Sequence, residues 1–202
     1  MHERIETRYV MKLLMIWASP NRDGLTAAAT ERIRQGMEQT GVFVETLHMN
    51  RLTIKHCLAC KNGWGDCREK GSCILRDDFM DLYEKMKEAE GFVLVTPVYW
   101  HDMAENLKSF LDRLRRCETG KNHFLGGKKC MLVACAGGTG LGAISCLSHM
   151  EDVLSHMQIA AVDRLPIIQF NKQYMLPALT GAGKAFAEYI AAKKGKSETD
   201  ET

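Results

Sequence analysis

Met11-Lys12-Leu13-Leu14-Met15-Ile16-Trp17-Ala18-Ser19-Pro20-Asn21-Arg22-Asp23-Gly24-Leu25-Thr26 decides how the rest of the chain is read. The apolar run, broken only by Lys12, predicts a strand covered on both faces and ending at Ser19-Pro20. Beyond the loop, Leu25, Ala29, Ile33 and Met37 recur every four residues and predict an amphipathic helix that stops near Gly41. The alternation continues. Strand patterns fall at 42–47, 92–98, 130–136 and 159–162. Helical stripes fall at 78–89 with Asp78 as cap, at 104–114 behind a capping-box-like Asp102 and Glu105, at 147–157 and at 179–192. Five strands alternating with helices imply a doubly wound α/β domain with a five-stranded parallel sheet, because right-handed crossovers place a helix over each strand pair. For the order 2-1-3-4-5 the ligand crevice lies between strands one and three. The loops to inspect are therefore 18–26 and 97–103.

The 202 residues suit a single domain, read here as 1–195 with a cysteine-containing loop at 49–77 and a disordered tail at 196–202. Hydrophobic residues at 46% and charged residues at 26% fit a globular chain, and a net charge of +2 gives no broad pull toward nucleic acid or anionic membranes. Residues 130–150 carry no Asp, Glu, Lys or Arg, yet Gly137, Gly138, Gly140 and Gly142 divide them into strand, loop and helix rather than a membrane span. Leu13 to Ala18 is too short for a signal core, and Glu3 and Glu6 spoil its flank, so the expected location is the cytoplasm. Eight cysteines then read as thiols or ligands rather than as a disulfide framework.

In the first loop, the hydroxyls of Ser19 and Thr26, the amides of a helix N-terminus and Arg22 supply what a phosphate monoester needs. An ordinary capped strand-to-helix turn fits the same residues. No Lys-Ser/Thr pair follows, which excludes a triphosphate loop. The second loop, Thr96 to Asp102, carries Tyr99, Trp100 and His101 and suits either a flat ring ligand or plain aromatic packing. The spacing Cys57-x2-Cys60-x6-Cys67-x5-Cys73 allows a four-iron cluster, tetrahedral zinc, or free and redox-active thiols. Cys117, Cys130, Cys135 and Cys146 fall on helix or strand patterns and read as core. Two glycine motifs are decoys. The first, Gly138 to Ala143, follows the fourth strand rather than the first, and the second, Gly181-Ala182-Gly183-Lys184, reads as a helix start. His48, His123, His149 and His156 read as surface or packing residues, and Arg113, Arg115 and Arg116 as solvated.

Taken together, Ser19-Pro20 with Gly24 and Thr26, Pro97-Val98-Tyr99 with Leu107-Lys108 and Asp112-Arg113, and Cys57-x2-Cys60 with Cys73 and Asp77-Asp78 resemble the NADPH-dependent FMN reductase and iron-sulfur flavoprotein group of the flavodoxin-like fold, over residues from about 11 to 165. The resemblance implies an FMN phosphate held by Ser19, Asn21 and Thr26, helped by Arg22 and the backbone around Gly24 and Leu25. It implies a flavin ring against Pro97, Val98, Tyr99, Trp100 and His101, with its far edge at Ala136, Gly137 and Gly138. Amides near Val98 and Gly138 would stabilise the reduced ring. Relatives usually carry Arg where Asn21 stands and Asn where Leu25 stands; the third cluster cysteine is replaced by Gly63, with Cys67 four residues on. The implied activity takes a hydride from NAD(P)H onto FMN and passes electrons to a small acceptor such as a quinone, a free flavin or a redox protein, with the flavin rather than a catalytic side chain carrying the chemistry. An iron-sulfur flavoprotein carrying electrons through a 4Fe-4S cluster at Cys57, Cys60, Cys67 and Cys73, or a cofactor-free binding protein, are the alternatives. A homodimer or homotetramer using 49–77 is the expected assembly.

Overall fold

Six residues, Lys12–Trp17, form the interior strand β1, and their alternation sorts the two cores. Leu13 and Met15 pack on one face of the sheet, Leu14 and Ile16 on the other, and all four are fully buried. The computed structural model describes residues 10–119 and 122–199. After β1 come α1 (Leu25–Glu38), β2 (Phe43–His48), a single 3-10 turn at Met49–Arg51, α2 (Asp66–Lys70) and α3 (Phe79–Glu88). β3 (Gly91–Pro97), α4 (Glu105–Cys117), β4 (Lys129–Ala136), α5 (Ala143–Ser155), β5 (Ala160–Ile168) and α6 (Lys172–Thr199) complete the chain. The strands pair in parallel in the order β2-β1-β3-β4-β5. β1 and β3 thus lie side by side with their crossovers running to opposite sides, which leaves a crevice at their carboxyl ends.

One core joins the sheet to α3, α4 and α5 through Phe92, Leu94, Leu111 and Leu132; the other joins it to α1 and α6 through Val93, Val95, Ile33 and Phe186. α1 and α6 approach closely because Gly36 and Gly183 carry no Cβ. A methyl at Gly36 would strike the Thr180 carbonyl, and one at Gly183 the Ile33 carbonyl. The Gly181 to Lys184 motif is therefore a mid-helix packing site, not a helix start. Among the described residues no helix is long and apolar enough to cross a membrane.

Several boundaries differ from the sequence reading. β5 runs to Ile168 rather than Val162, because an edge strand tolerates Pro166, whose missing N–H need not face a neighbour. α6 starts at Lys172, carries Pro177 within it and continues through Thr199. Residues 196–199 of the expected disordered tail are therefore helical, and 200–202 lie outside the described residues, as do Glu3 and Glu6. Asp78 does stand at the N-cap of α3, but its Oδ2 accepts from the Thr53 amide at 2.6 Å instead of capping the helix. α4 begins at Glu105 after Ala104, whose amide donates to Thr96 Oγ1 at 3.0 Å, so Asp102 makes no capping box.

Candidate functional site

Three loops meet the carboxyl edge of the sheet: 18–24 after β1, 98–104 after β3 and 137–142 after β4. In the first, Ser19 Oγ accepts from the Asn21 amide and Asn21 Oδ1 from the Asp23 amide, each at 3.2 Å, a pair of side-chain turns leading to Gly24 at the N-cap of α1. No side chain caps α1. Among the described residues the amides of Arg22, Gly24, Leu25, Thr26 and Ala27 make no hydrogen bond, and Arg22 is exposed without an ion pair. A helix start with free amides and a cation suits an anion of phosphate type. Asn21, Arg22, Gly24 and Leu25 lie on the accessible side of this loop. Ser19 and Thr26 are only 4% exposed. Burial pushes the neighbouring Cys135 thiol up to about 12. Thr26 is thus buried in the first turn of α1, among the amides to which the resemblance assigns a phosphate.

The second loop is a tight turn. Tyr99 and Asp102 exchange both backbone hydrogen bonds at 2.8 and 3.0 Å, which places Trp100 (φ 48°) and His101 (φ 69°) in the left-handed region. Two such residues in succession carry strain of the kind held at ligand sites. Tyr99 is partly exposed and Trp100 projects at 97% exposure from the turn tip. Pro97 is buried and Val98 half-buried; the Val98 amide donates to Cys135 O at 2.9 Å. That amide is therefore taken within the fold. The amides of Trp100, His101, Gly137 and Gly138 make no hydrogen bond among the described residues. Ala136 is buried at the end of β4, whereas Gly137 and Gly138 border open space. Gly142 (φ 83°) seats the turn: a Cβ there would lie 2.6 Å from His101 Cα. His149 Nδ1, 3.5 Å from Asp102 Oδ1, ties α5 to the same turn.

The three loops thus offer unpartnered amides at the carboxyl edge of the sheet, and these residues fit a phosphate-bearing flat ring. His48, expected to be a surface or packing residue, packs against Trp17 beside the first loop. It is buried, with Nε2 2.7 Å from Ser19 O. The signal available in the sequence was its place at the end of the second strand, beside the loop that leaves the first.

Cys57, Cys60, Cys67 and Cys73 sit elsewhere, lining a cavity of ≈ 30 Å³ that also touches Arg113 and Arg116 on α4, a space for about one or two waters. Ala59, Lys61 and Asn62 there have φ of 47°, 48° and 60°, and the Ala59 amide lies 3.4 Å from Cys57 Sγ. The topology thus gathers all four thiols. They do not converge: among the described residues no group of three or more His, Cys, Asp or Glu could hold a metal ion. The donor chemistry suits a soft metal and the placement of the four thiols does not. Arg113 corrects another reading. It is 1% exposed, its guanidinium bonded to Asp77 at 2.5 and 2.9 Å and to Lys55 O at 3.0 Å. Cys117, Cys130 and Cys146 are buried as expected, and burial pushes each thiol up to about 12.

The sequence model of the NADPH-dependent FMN reductase family matches residues 11–173. An iron-sulfur flavoprotein of Archaeoglobus fulgidus is 31% identical over 104 residues, 52% of this chain and 46% of the relative. An iron-sulfur flavoprotein of Methanocaldococcus jannaschii is 30% identical over 110 residues, 54% and 55% of the two chains. The matched stretch spans about half the length of these curated relatives. Among solved structures, the NAD(P)H:quinone oxidoreductase from Methanothermobacter marburgensis superposes with a TM-score of 0.65 at 19% identity, covering 88% of this chain and 96% of that one. At that identity the likeness establishes the fold alone.

Proposed function

The chain belongs to the NADPH-dependent FMN reductase family, and from that premise we propose that it is an FMN-dependent NAD(P)H oxidoreductase that reduces a small acceptor such as a quinone or a free flavin. The observation that carries the reading is the run of amides from Gly24 to Ala27, unpartnered among the described residues, beside the strained 99–102 turn at the carboxyl ends of β1 and β3. FMN, when bound, supplies the hydride-accepting chemistry. The amides of Gly24, Leu25 and Ala27, with Arg22, bind its phosphate ester. Tyr99 and His101 position the ring, and the amides of Gly137 and Gly138 stabilise negative charge at its edge. No side chain need move a proton. The visible spectrum of freshly purified protein tests this: a flavin spectrum that NAD(P)H bleaches without oxygen is expected, and a colourless protein that FMN leaves unchanged in Tm overturns it. Cytoplasmic location and a homodimer or homotetramer belong to the same reading; the exposed Trp100, Leu141 and Phe170 support the assembly, which sedimentation would test.

A second reading, an electron carrier with a 4Fe-4S cluster, is favoured by the four thiols lining one cavity and by the names of the curated relatives. It requires the 57–73 segment to close around the metal. Metal analysis separates the readings, with about four irons and labile sulfide per chain expected for a cluster, and neither for the simple oxidoreductase.

A further inference from the structure

His48 ends β2 and, in the β1–β2 ladder, lies opposite Trp17, which ends β1. Ladder partners share a face of the sheet, and here the imidazole stacks on the indole, centroids 3.8 Å apart and planes within 5°. That stack fixes the ring plane and leaves Nε2 2.7 Å from the Ser19 carbonyl. A carbonyl oxygen only accepts, so Nε2 carries a proton, and in the neutral ring Nδ1 is a bare acceptor. Nδ1 is buried and has no partner among the described residues, in a residue only 9% exposed. An unsatisfied buried acceptor opposes folding; the ring nevertheless keeps the orientation that serves Ser19.

What Ser19 gains follows from its neighbour. The Ser19–Pro20 bond has no N–H, so the carbonyl is its only polar group and His48 its anchor to the sheet. Immediately downstream, Ser19 Oγ receives the Asn21 amide and Asn21 Oδ1 the Asp23 amide, which leaves the amides from Gly24 to Ala27 unpartnered. The loop is thus tethered at its root and shaped at its crest. We infer that His48 is a positioning residue for the phosphate subsite: its Nε2–H holds Ser19 so that the loop stands in its anion-binding shape before a phosphate ester arrives. Binding then need not order the loop, and the gain falls on the phosphate end of the ligand alone. The inference rests on the flavin reading of this crevice.

FMN and riboflavin differ only by the phosphate, so the ratio of their affinities isolates the subsite. His48→Phe keeps the stack on Trp17 and removes the donor; His48→Gln restores an amide donor. Titration by quenching of flavin fluorescence should show His48→Phe weakening FMN about tenfold with riboflavin changed by less than about twofold, and His48→Gln recovering most of the loss. FMN affinity unchanged in His48→Phe, or an equal loss for both flavins, overturns the inference. If His48→Phe fails to fold, the His48→Gln ratio carries the test, and a value more than about tenfold below that of the unaltered protein overturns it. Should the unaltered protein not distinguish FMN from riboflavin, the phosphate reading fails by itself. The clamp is then read by long-range proton–nitrogen NMR: a neutral His48 ring protonated on Nε2 upholds it, and one protonated on Nδ1 overturns it.

Discussion

Arg113 and Asp77 show how much one buried pair determines. Both side chains are sealed from solvent, Asp77 also accepts from the Lys55 and Phe79 amides, and Arg113 lies 4.1 Å over the Phe79 ring. With Lys55, the pair fastens both ends of the cysteine segment to α4. Removing one partner strands the other's charge: Arg113→Met should lower unfolding free energy by about 3–5 kcal/mol in urea titration. Burial pushes the Asp77 carboxyl up, but Arg113 and the Lys55 amide outweigh it and hold it below the ordinary carboxylate range. A carboxylate so depressed adds stability that is complete above about pH 4 and lost as the pH falls through its folded value. Tm should therefore decline below about pH 4, and Asp77→Asn, though less stable throughout, should show a shallower decline. The thiols divide in the same way. Cys117, Cys130, Cys135 and Cys146 are buried and raised to about 12, whereas the four loop cysteines are half-buried. A thiol reagent near pH 8 should titrate only the loop cysteines until denaturant is added. Arg113 read as solvated because helical spacing alone does not reveal that a carboxylate 36 residues away folds onto it.

At the scale of elements, the start of α5 sets the 99–102 turn. Gly142 accepts a φ of 83° and gives His101 its room, and either demand excludes a side chain. Gly142→Ala should cost about 1–3 kcal/mol of stability, read by thermal melting, and should weaken FMN more than its effect on folding explains. Strands and helices were legible because their periods are local: Leu13 to Ile16 face both cores, and Leu107, Phe110, Leu111 and Leu114 face one. Element ends were less so. Asp78 and Asp102 look like caps in one dimension, yet their carboxylates accept the Thr53 and Met103 amides. α2 and the turn at 49–51 are too short for a period to declare them.

For the whole molecule, ligand binding and folding share one equilibrium. FMN at a hundredfold excess over its Kd should add about 2.7 kcal/mol, which for a chain of 202 residues corresponds to a rise in Tm of roughly 5–10 °C. A differential scan with FMN against riboflavin reads this directly, and no rise with either removes the flavin from this crevice. The amino-acid order by itself determined the five-stranded doubly wound sheet, the meeting of loops 18–24 and 98–104 at the β1–β3 crevice, and the buried state of four cysteines. Those follow from periodicity and from the handedness of crossovers, which nearby residues encode. Tertiary structure alone decided that the Val98 amide is taken by Cys135 O, that His48 Nε2 meets the Ser19 carbonyl, and that four thiols share a cavity without converging. Each is a hydrogen bond or a separation between residues distant in sequence, fixed by strand register and helix packing, and hence absent from any local pattern.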